Sequence, residues 1–473
     1  MYLDTTQLVQ LNTALVATVL IFIAAYAAPL RGSVGILLVL IPFQLIETSF
    51  ASVNVVMTYV LAGALMLRGR LRFAPMLGPV LLVVFAYLIV LAQLPRPMYV
   101  LHGIEVFRLI SGFLVFILAY NLARETESPR SIVNLLMMMN VLSVLYCLIQ
   151  FSVGPGESLQ LFGSKELELN ENRGEGDARL VGPFGTPGIT AAYFMSLTLI
   201  LTYEAVYSRG WRRVGVVALI ALNVGMMVAT ANRGSFLVLL AGLLGFLYLF
   251  RAELGFARIA QILVGSMVVL VGATGIVATY TDFGQMFERL QEVEVENGIP
   301  DTRQILWPQA WEDINERPIF GHGPRILGQH ELRFTDAHEE QLVGSYPHNL
   351  YLHLLLTVGV FGTACMLFFL FYAAWRVYQG GRRGSFNNPY ERGWVVVGWL
   401  VLAAFLVDEL KIEFLRDTTV DYAHFVFALF GLFLGAADGA LLKARSTERI
   451  SRVRPPVARP ASVSPATASR RGA

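Results

Sequence analysis

Residues 349–375 read NLYLHLLLTVGVFGTACMLFFLFYAAW, without one Asp, Glu, Lys or Arg. About 20 mostly apolar residues carry an α-helix across the hydrocarbon core of a bilayer, so this stretch predicts a membrane span. Further apolar runs lie near 9–30, 33–47, 51–67, 74–94, 99–122, 131–153, 187–208, 214–231, 235–250, 259–280, 394–407 and 425–442. The run at 33–47 is short for a span and reads alternatively as half of a broken helix with 51–67. The expected fold class is an all-α polytopic membrane protein, with about 12–13 transmembrane helices and a large extracytoplasmic loop containing short helices. Composition agrees: of 473 residues, 55% are hydrophobic and 15% charged, against about 25% charged in soluble domains. That balance excludes an ordinary soluble enzyme, a nucleic-acid binder and a disordered chain. Cys147 and Cys365 sit inside apolar runs, so neither a disulfide framework nor a cysteine metal cluster is expected.

Basic residues in short loops mark the cytoplasmic side. Arg68, Arg70 and Arg72, then Arg124 and Arg130, then Arg209, Arg212 and Arg213 alternate with basic-poor loops. Arg251 and Arg258, then Arg376, Arg382, Arg383 and Arg392 continue the series, and Lys443, Arg445, Arg449, Arg452, Arg454 and Arg459 close it. The first apolar run follows no basic segment, so it reads as a retained helix and not a cleaved signal. Residues 1–442 are expected to form the membrane domain. Residues 443–473 read as a basic, disordered cytoplasmic tail, rich in Pro, Ala, Ser and Arg from Pro455 onward. The opposite face receives 95–98, about 154–186, the tight turn 232–234, about 281–348 and about 408–424.

Reactive side chains collect on that opposite face. His102, His322, His330, His338, His348, His353 and His424 all map to it, five of them between 322 and 353. Histidine titrates near neutrality and serves as acid, base or ligand. A zinc site would need three or four ligands at workable spacing; His322, His330 and His338 lie eight apart with no HExxH motif and no paired cysteines, and no metal is expected. Asp408 and Glu409 read as a carboxylate pair for a metal or as partners of Lys411 or Arg416.

Arg233 stands in Ala231-Asn232-Arg233-Gly234-Ser235, between two apolar helices on the basic-poor face. An arginine there can snorkel to the head groups. It can also join the free N–H groups of a helix N-terminus in binding phosphate. Arg179, in Arg179-Leu180-Val181-Gly182-Pro183-Phe184-Gly185, offers a second anion contact or a local ion pair. The acidic stretch 282–301 reads as a solvated helical face. In the helix that follows, Trp307, Trp311 and Ile314 fall on one side, placing it over the bundle or on the membrane surface, with Pro318 as its stop. Gly321-His322-Gly323-Pro324-Arg325 reads as a turn. Pro347-His348-Asn349 opens the apolar helix quoted above, where the helix dipole favours a neutral imidazole at His348.

On these residues the chain resembles the O-antigen ligase and polymerase superfamily, bacterial inner-membrane enzymes acting on polyprenyl-diphosphate-linked glycans. The resemblance rests on Arg233-Gly234-Ser235, on Arg303 followed by Trp307 and Pro318-Ile319-Phe320-Gly321-His322-Gly323, on the Arg179–Gly185 segment, and on His348-Asn349, nine residues, Gly359, two residues, Gly362. It covers about 170–375. The acidic stretch 282–301, the polar segment 408–424 and the long basic tail depart from the family pattern. The resemblance implies inverting glycosyl transfer without metal or other cofactor, with the site facing the periplasm. Arg233 and Arg303 would bind the leaving diphosphate and His348 would take the acceptor proton, with Arg179, Arg325, His322 and Asn349 in support. Its implied partners are a polyprenyl-diphosphate-linked glycan donor, a glycan or lipid A-core acceptor, membrane lipids, and a chain-length regulator or flippase. A polymerase of O-antigen or exopolysaccharide is preferred to a ligase, because the departures are additions on the outer face. A lipid-linked sugar transporter is the contrasting class. Against it stand the lack of an internal repeat of spans and the scarcity of mid-helix charges. Glu105 and Arg108 are the exception, spaced to pair with each other.

Overall fold

The computed structural model describes residues 26–27, 29–43, 52–72, 76–153, 180–255, 295–296, 299–300, 303–324, 347–415 and 420–453. Among them the helices are α1 (Leu30–Leu40), α2 (Val53–Leu67), α3 (Leu77–Ala92), α4 (Tyr99–Glu125), α5 (Pro129–Val153), α6 (Pro187–Tyr207), α7 (Gly210–Ala229), α8 (Arg233–Gly255), α9 (Arg303–Glu316), α10 (Leu350–Arg383), α11 (Pro389–Asp408) and α12 (Val420–Val453). Eight of these are long and apolar enough to cross a membrane, and α1, α2 and α3 are shorter apolar helices. The chain is therefore a polytopic membrane protein. The expected run 259–280, and all but the last residues of 9–30, lie outside the described residues.

α1 and α2 are two short helices, and Asn54 joins them. Its side-chain amide reaches Phe43 O at 2.9 Å, Leu40 O at 3.4 Å and Asp421 Oδ1 at 3.0 Å. A helix ending inside a bundle leaves its last carbonyls without partners, and Asn54 supplies one. α6 is enclosed almost completely, whereas α8 turns Leu237, Leu244 and Tyr248 outward. The tightest contact is between α4 and α12. A Cβ added to Gly431 would lie 2.3 Å from Phe116 O, and one added to Gly435 would lie 2.4 Å from Tyr120 O. Small residues let two backbones touch where lipid supplies no hydrophobic drive between helices.

Three expectations need correction. First, residues 295–296 and 299–300 do not continue a helical face: β1 (Val295–Glu296) pairs antiparallel with β2 (Ile299–Pro300). Asn297-Gly298 separates the strands, a dipeptide that suits a two-residue hairpin loop. Second, α12 runs to Val453, so residues 443–453 are helical and not part of a disordered tail. Lys, Arg, Ala and Glu are good helix formers, and Ser446 and Thr447 bond back to Lys443 O. Third, the buried side of α9 is Leu306, Ala310, Asp313 and Ile314, while Trp311 is exposed. Ile314 packs with Leu352 and Leu356 of α10, with Trp307 alongside, which sets the helix over the bundle.

α10 contains a break. Gly359 has φ 63° and ψ −173°, a conformation essentially reserved for glycine. The segment 318–323 docks its backbone there: His322 N–H donates to Leu356 O at 2.9 Å, Gly323 N–H to Thr357 O at 2.8 Å and Val360 N–H to Pro318 O at 2.8 Å. Non-helical backbone at membrane depth must be satisfied by protein, and the loop returns to do so. What reads as a simple turn at Gly321-His322-Gly323 is the second half of this junction.

Candidate functional site

Four segments meet at one end of the bundle: the start of α8, the start of α9, residues 347–350, and the turn 408–415 between α11 and α12. At α8, Ala231 takes φ 50°, uncommon for a residue with a side chain. Asn232 then caps the helix by accepting Ser235 N–H at 3.1 Å. Arg233 is the first residue of the helix and half-buried. The anion site expected of this N-terminus is thus partly occupied by the protein itself, since Asn232 takes one of its amides.

Lys411 closes over the same corner. Its Nζ lies 3.0 Å from Asp408 Oδ1, 3.0 Å from Asn232 Oδ1 and 2.5 Å from Ser235 Oγ. Gly234 makes room for it: a Cβ there would sit 2.2 Å from Lys411 Cδ. Burial pushes the Lys411 ammonium below the usual lysine range, Asp408 opposes that shift, and Arg303 adds to it. Arg303, the first residue of α9, donates to Lys411 O at 3.1 Å. The corner therefore gathers Arg303 and Lys411 at the first turn of α8, which carries Arg233. Charge density of this kind in a low-dielectric setting suits a multiply charged anion.

On the other flank of the 408–415 turn stands His348. Its backbone has φ 48°, and its neighbours are held on both sides. Trp307 Nε1 donates to Pro347 O at 3.0 Å. Asn349, not His348, caps α10, accepting from Tyr351 N at 2.9 Å and Leu352 N at 3.1 Å. The Asn349 amide donates to Leu410 O at 3.0 Å, and Leu350 N–H to Glu409 O at 2.9 Å. The imidazole is 40% exposed, and its Nδ1 lies 3.9 Å from Glu413 Oε1, a carboxylate only 1% exposed. Glu409 is buried beside it and accepts Phe414 N–H at 2.9 Å. Burial and neighbouring Asp408 hold the Glu409 carboxyl well above the usual carboxylate range. Past Phe414 a small cleft opens, lined by Tyr87, His353, Phe427 and the Glu105–Arg108 pair, 3.0 Å apart.

The expected site residues separate into three groups. Arg233, Arg303, His348 and Asn349 border one corner. His322 belongs to the α10 break, where Nδ1 lies 3.3 Å from Leu356 O, eight residues or roughly 12 Å of helix beyond His348. Arg179, Arg325, His330 and His338 lie outside the described residues; Leu180, next to Arg179, donates to Ala229 O at 3.0 Å. His102 packs under Gly323 and His424 is within 2.7 Å of Ser111 Oγ, both in the interior. Asp408 and Lys411 pair as one of the two readings had it. Glu413 stood out by no spacing or motif. Its only trace is the density of charge in Asp408-Glu409-Leu410-Lys411-Ile412-Glu413 at the end of an apolar run.

Bundle and corner together define a polytopic membrane protein with a cationic, histidine-bearing site at one end. Residues 216–367 match the family model described as O-Antigen ligase, and this segment of the chain is similar to that family. It spans Arg233, Arg303, His348 and the α10 break, and it supports enzymatic glycosyl transfer in surface-polysaccharide assembly. No curated protein matches the chain.

Proposed function

We propose that the protein is an inner-membrane glycosyltransferase that moves a glycan from a polyprenyl diphosphate to an acceptor sugar hydroxyl at the periplasmic face. The observation that carries this reading is the juxtaposition, across one short turn, of the Arg303–Lys411 corner at the start of α8 with His348. In the reaction the acceptor oxygen bonds to the anomeric carbon as the bond from that carbon to the diphosphate oxygen breaks. The electron pair leaves with the polyprenyl diphosphate, and the acceptor proton passes to His348. Attack opposite the leaving group inverts the anomeric centre. Arg233 and Arg303 stabilise the charge that grows on the diphosphate, and its depth at the lipid head groups accounts for a site at the end of the bundle. These residues supply both charge stabilisation and a base, so the reaction needs no metal. The preferred activity is polymerisation of lipid-linked repeats, with a flippase and a chain-length regulator as working partners. Ligation to lipid A-core is the alternative outcome of the assay below.

Purified variants in detergent or nanodiscs test the reading, with transfer and donor-lipid binding measured in parallel. Arg233→Ala and Arg303→Ala should each cost about 2.7–4 kcal/mol of transition-state stabilisation, or about 100- to 1,000-fold in rate. Arg233→Lys should also be impaired, since it keeps the charge and loses the planar fork. His348→Ala should lose about 100- to 10,000-fold and still bind donor. Normal transfer by both arginine variants would move the diphosphate elsewhere. Lengthening of lipid-linked repeats without any other acceptor identifies a polymerase; a strict need for lipid A-core identifies a ligase.

A further inference from the structure

The turn 408–415 departs from the family pattern, yet it touches His348 directly. We propose that Glu413 is the positioning residue of the His348 base, holding the ring through Nδ1 so that Nε2 faces the acceptor hydroxyl. This rests on the transfer reaction proposed above and adds the group that orients its base.

Geometry and chemistry agree on the assignment. The imidazole spans a boundary: its Nδ1 edge approaches a carboxylate 1% exposed, while the side chain as a whole is 40% exposed. An ionised carboxylate only accepts hydrogen bonds. A neutral ring beside it therefore carries its proton on Nδ1 and keeps the lone pair on Nε2 for the acceptor. Once Nε2 takes the acceptor proton the ring is cationic, and a carboxylate at Nδ1 stabilises it as charge develops. The separation of 3.9 Å is in ion-pair range, and catalytic contacts often tighten when substrate binds.

The mounting is shared. Leu350 N–H on Glu409 O and the Asn349 amide on Leu410 O fasten the turn to the start of α10, and Phe414 N–H on Glu409 Oε2 closes the turn on itself. The left-handed backbone of His348 is uncommon for histidine and is kept by bonds on both sides of it. Other charged groups surround the pair. Asp408 and Glu409 share the turn, Lys411 and Arg303 lie on its far flank, Arg233 begins α8, and Glu105, Arg108 and His353 line the cleft beyond Phe414.

The test compares full-length Glu413→Gln and Glu413→Asp, His348→Ala and the double variant His348→Ala/Glu413→Gln. Turnover, donor-lipid binding and the pH profile are measured for each. The amide fills the same space, so Glu413→Gln should bind donor normally while kcat falls by about 100- to 10,000-fold, as for a triad carboxylate turned to amide. Its acid limb should move to lower pH, because loss of the anion makes the ring easier to deprotonate. Glu413→Asp should recover part of the rate. In the His348→Ala background Glu413→Gln should change nothing further, since a residue acting through another adds nothing once that other is gone. Four results each overturn the proposal: unchanged kcat in Glu413→Gln, loss of donor binding in step with rate, an unmoved acid limb, or full additivity with His348→Ala. Near-normal transfer by His348→Ala would instead overturn the underlying transfer mechanism.

Discussion

Asp408 and Glu409 are adjacent in the chain and equally buried, yet their surroundings give them opposite work. Asp408 pairs with the Lys411 ammonium at 3.0 Å. Glu409 is buried between Asp408 and Glu413, and burial with Asp408 raises its proton affinity. Glu409→Gln should therefore leave the melting temperature near that of the wild type at a pH below the ordinary carboxylate range, whereas Asp408→Asn should be severe at neutral pH. Removing one partner of a buried ion pair costs about 3–5 kcal/mol. The folded Glu409 carboxyl holds its proton above the pH at which the unfolded chain releases it. Its contribution is thus full below the ordinary carboxylate range and is lost as pH rises through the raised value. Melting curves across pH should show the wild type losing stability as pH rises from the ordinary carboxylate range through the raised value, and Glu409→Gln losing less there. Equal slopes for the two proteins would contradict the assignment. None of this is legible from two neighbouring acidic letters, because burial and the fold of the turn around them decide it.

At the scale of elements, the junction between 318–323 and α10 turns a glycine pattern into a mechanical requirement. A Cβ on Gly359 would meet Ile319 C and O at 2.3 Å, and one on Gly321 would meet Thr357 C and O at 2.5 Å. Neither residue can relax by changing a rotamer, because backbone meets backbone and both have positive φ. Gly359→Ala and Gly321→Ala should each lower the melting temperature in detergent and speed proteolysis, with a cost of at least the roughly 1–3 kcal/mol of a strained backbone. Wild-type melting in both variants would mean that the docked loop is dispensable. The spacing from His348 to Gly359 to Gly362 was visible in the sequence. Its cause, a broken helix completed by a distant loop, was not, since one partner lies some forty residues upstream.

For the whole molecule, the alternation of arginine-rich and basic-poor loops predicts an orientation. The corner holding Arg233, Arg303 and His348 should face the periplasm and the end of α12 the cytoplasm. Reporter fusions placed after Arg454 should be active only as cytoplasmic reporters. The reverse pattern would put the site on the wrong side for a flipped lipid-linked donor. Burial is consistent with a lipid-embedded bundle: α6 is wrapped by neighbours, while Leu81 and Phe85 of α3 and Leu240 and Leu244 of α8 point outward.

Length and hydropathy of the apolar runs determined the helical membrane architecture, because backbone in a bilayer must satisfy its own hydrogen bonds and helices do so locally. The family resemblance pointed to Arg233, Arg303 and His348, each at the first turn of a helix or just before it. Only the tertiary structure decided what surrounds them. Lys411 fills the space left by Gly234, and Glu413 reaches Nδ1 of His348 across 65 positions of sequence. The basic end of α12 also proved to be helix and not tail. Contacts between remote segments and the burial that tunes charge depend on how helices pack, and no periodicity within one helix encodes its neighbour.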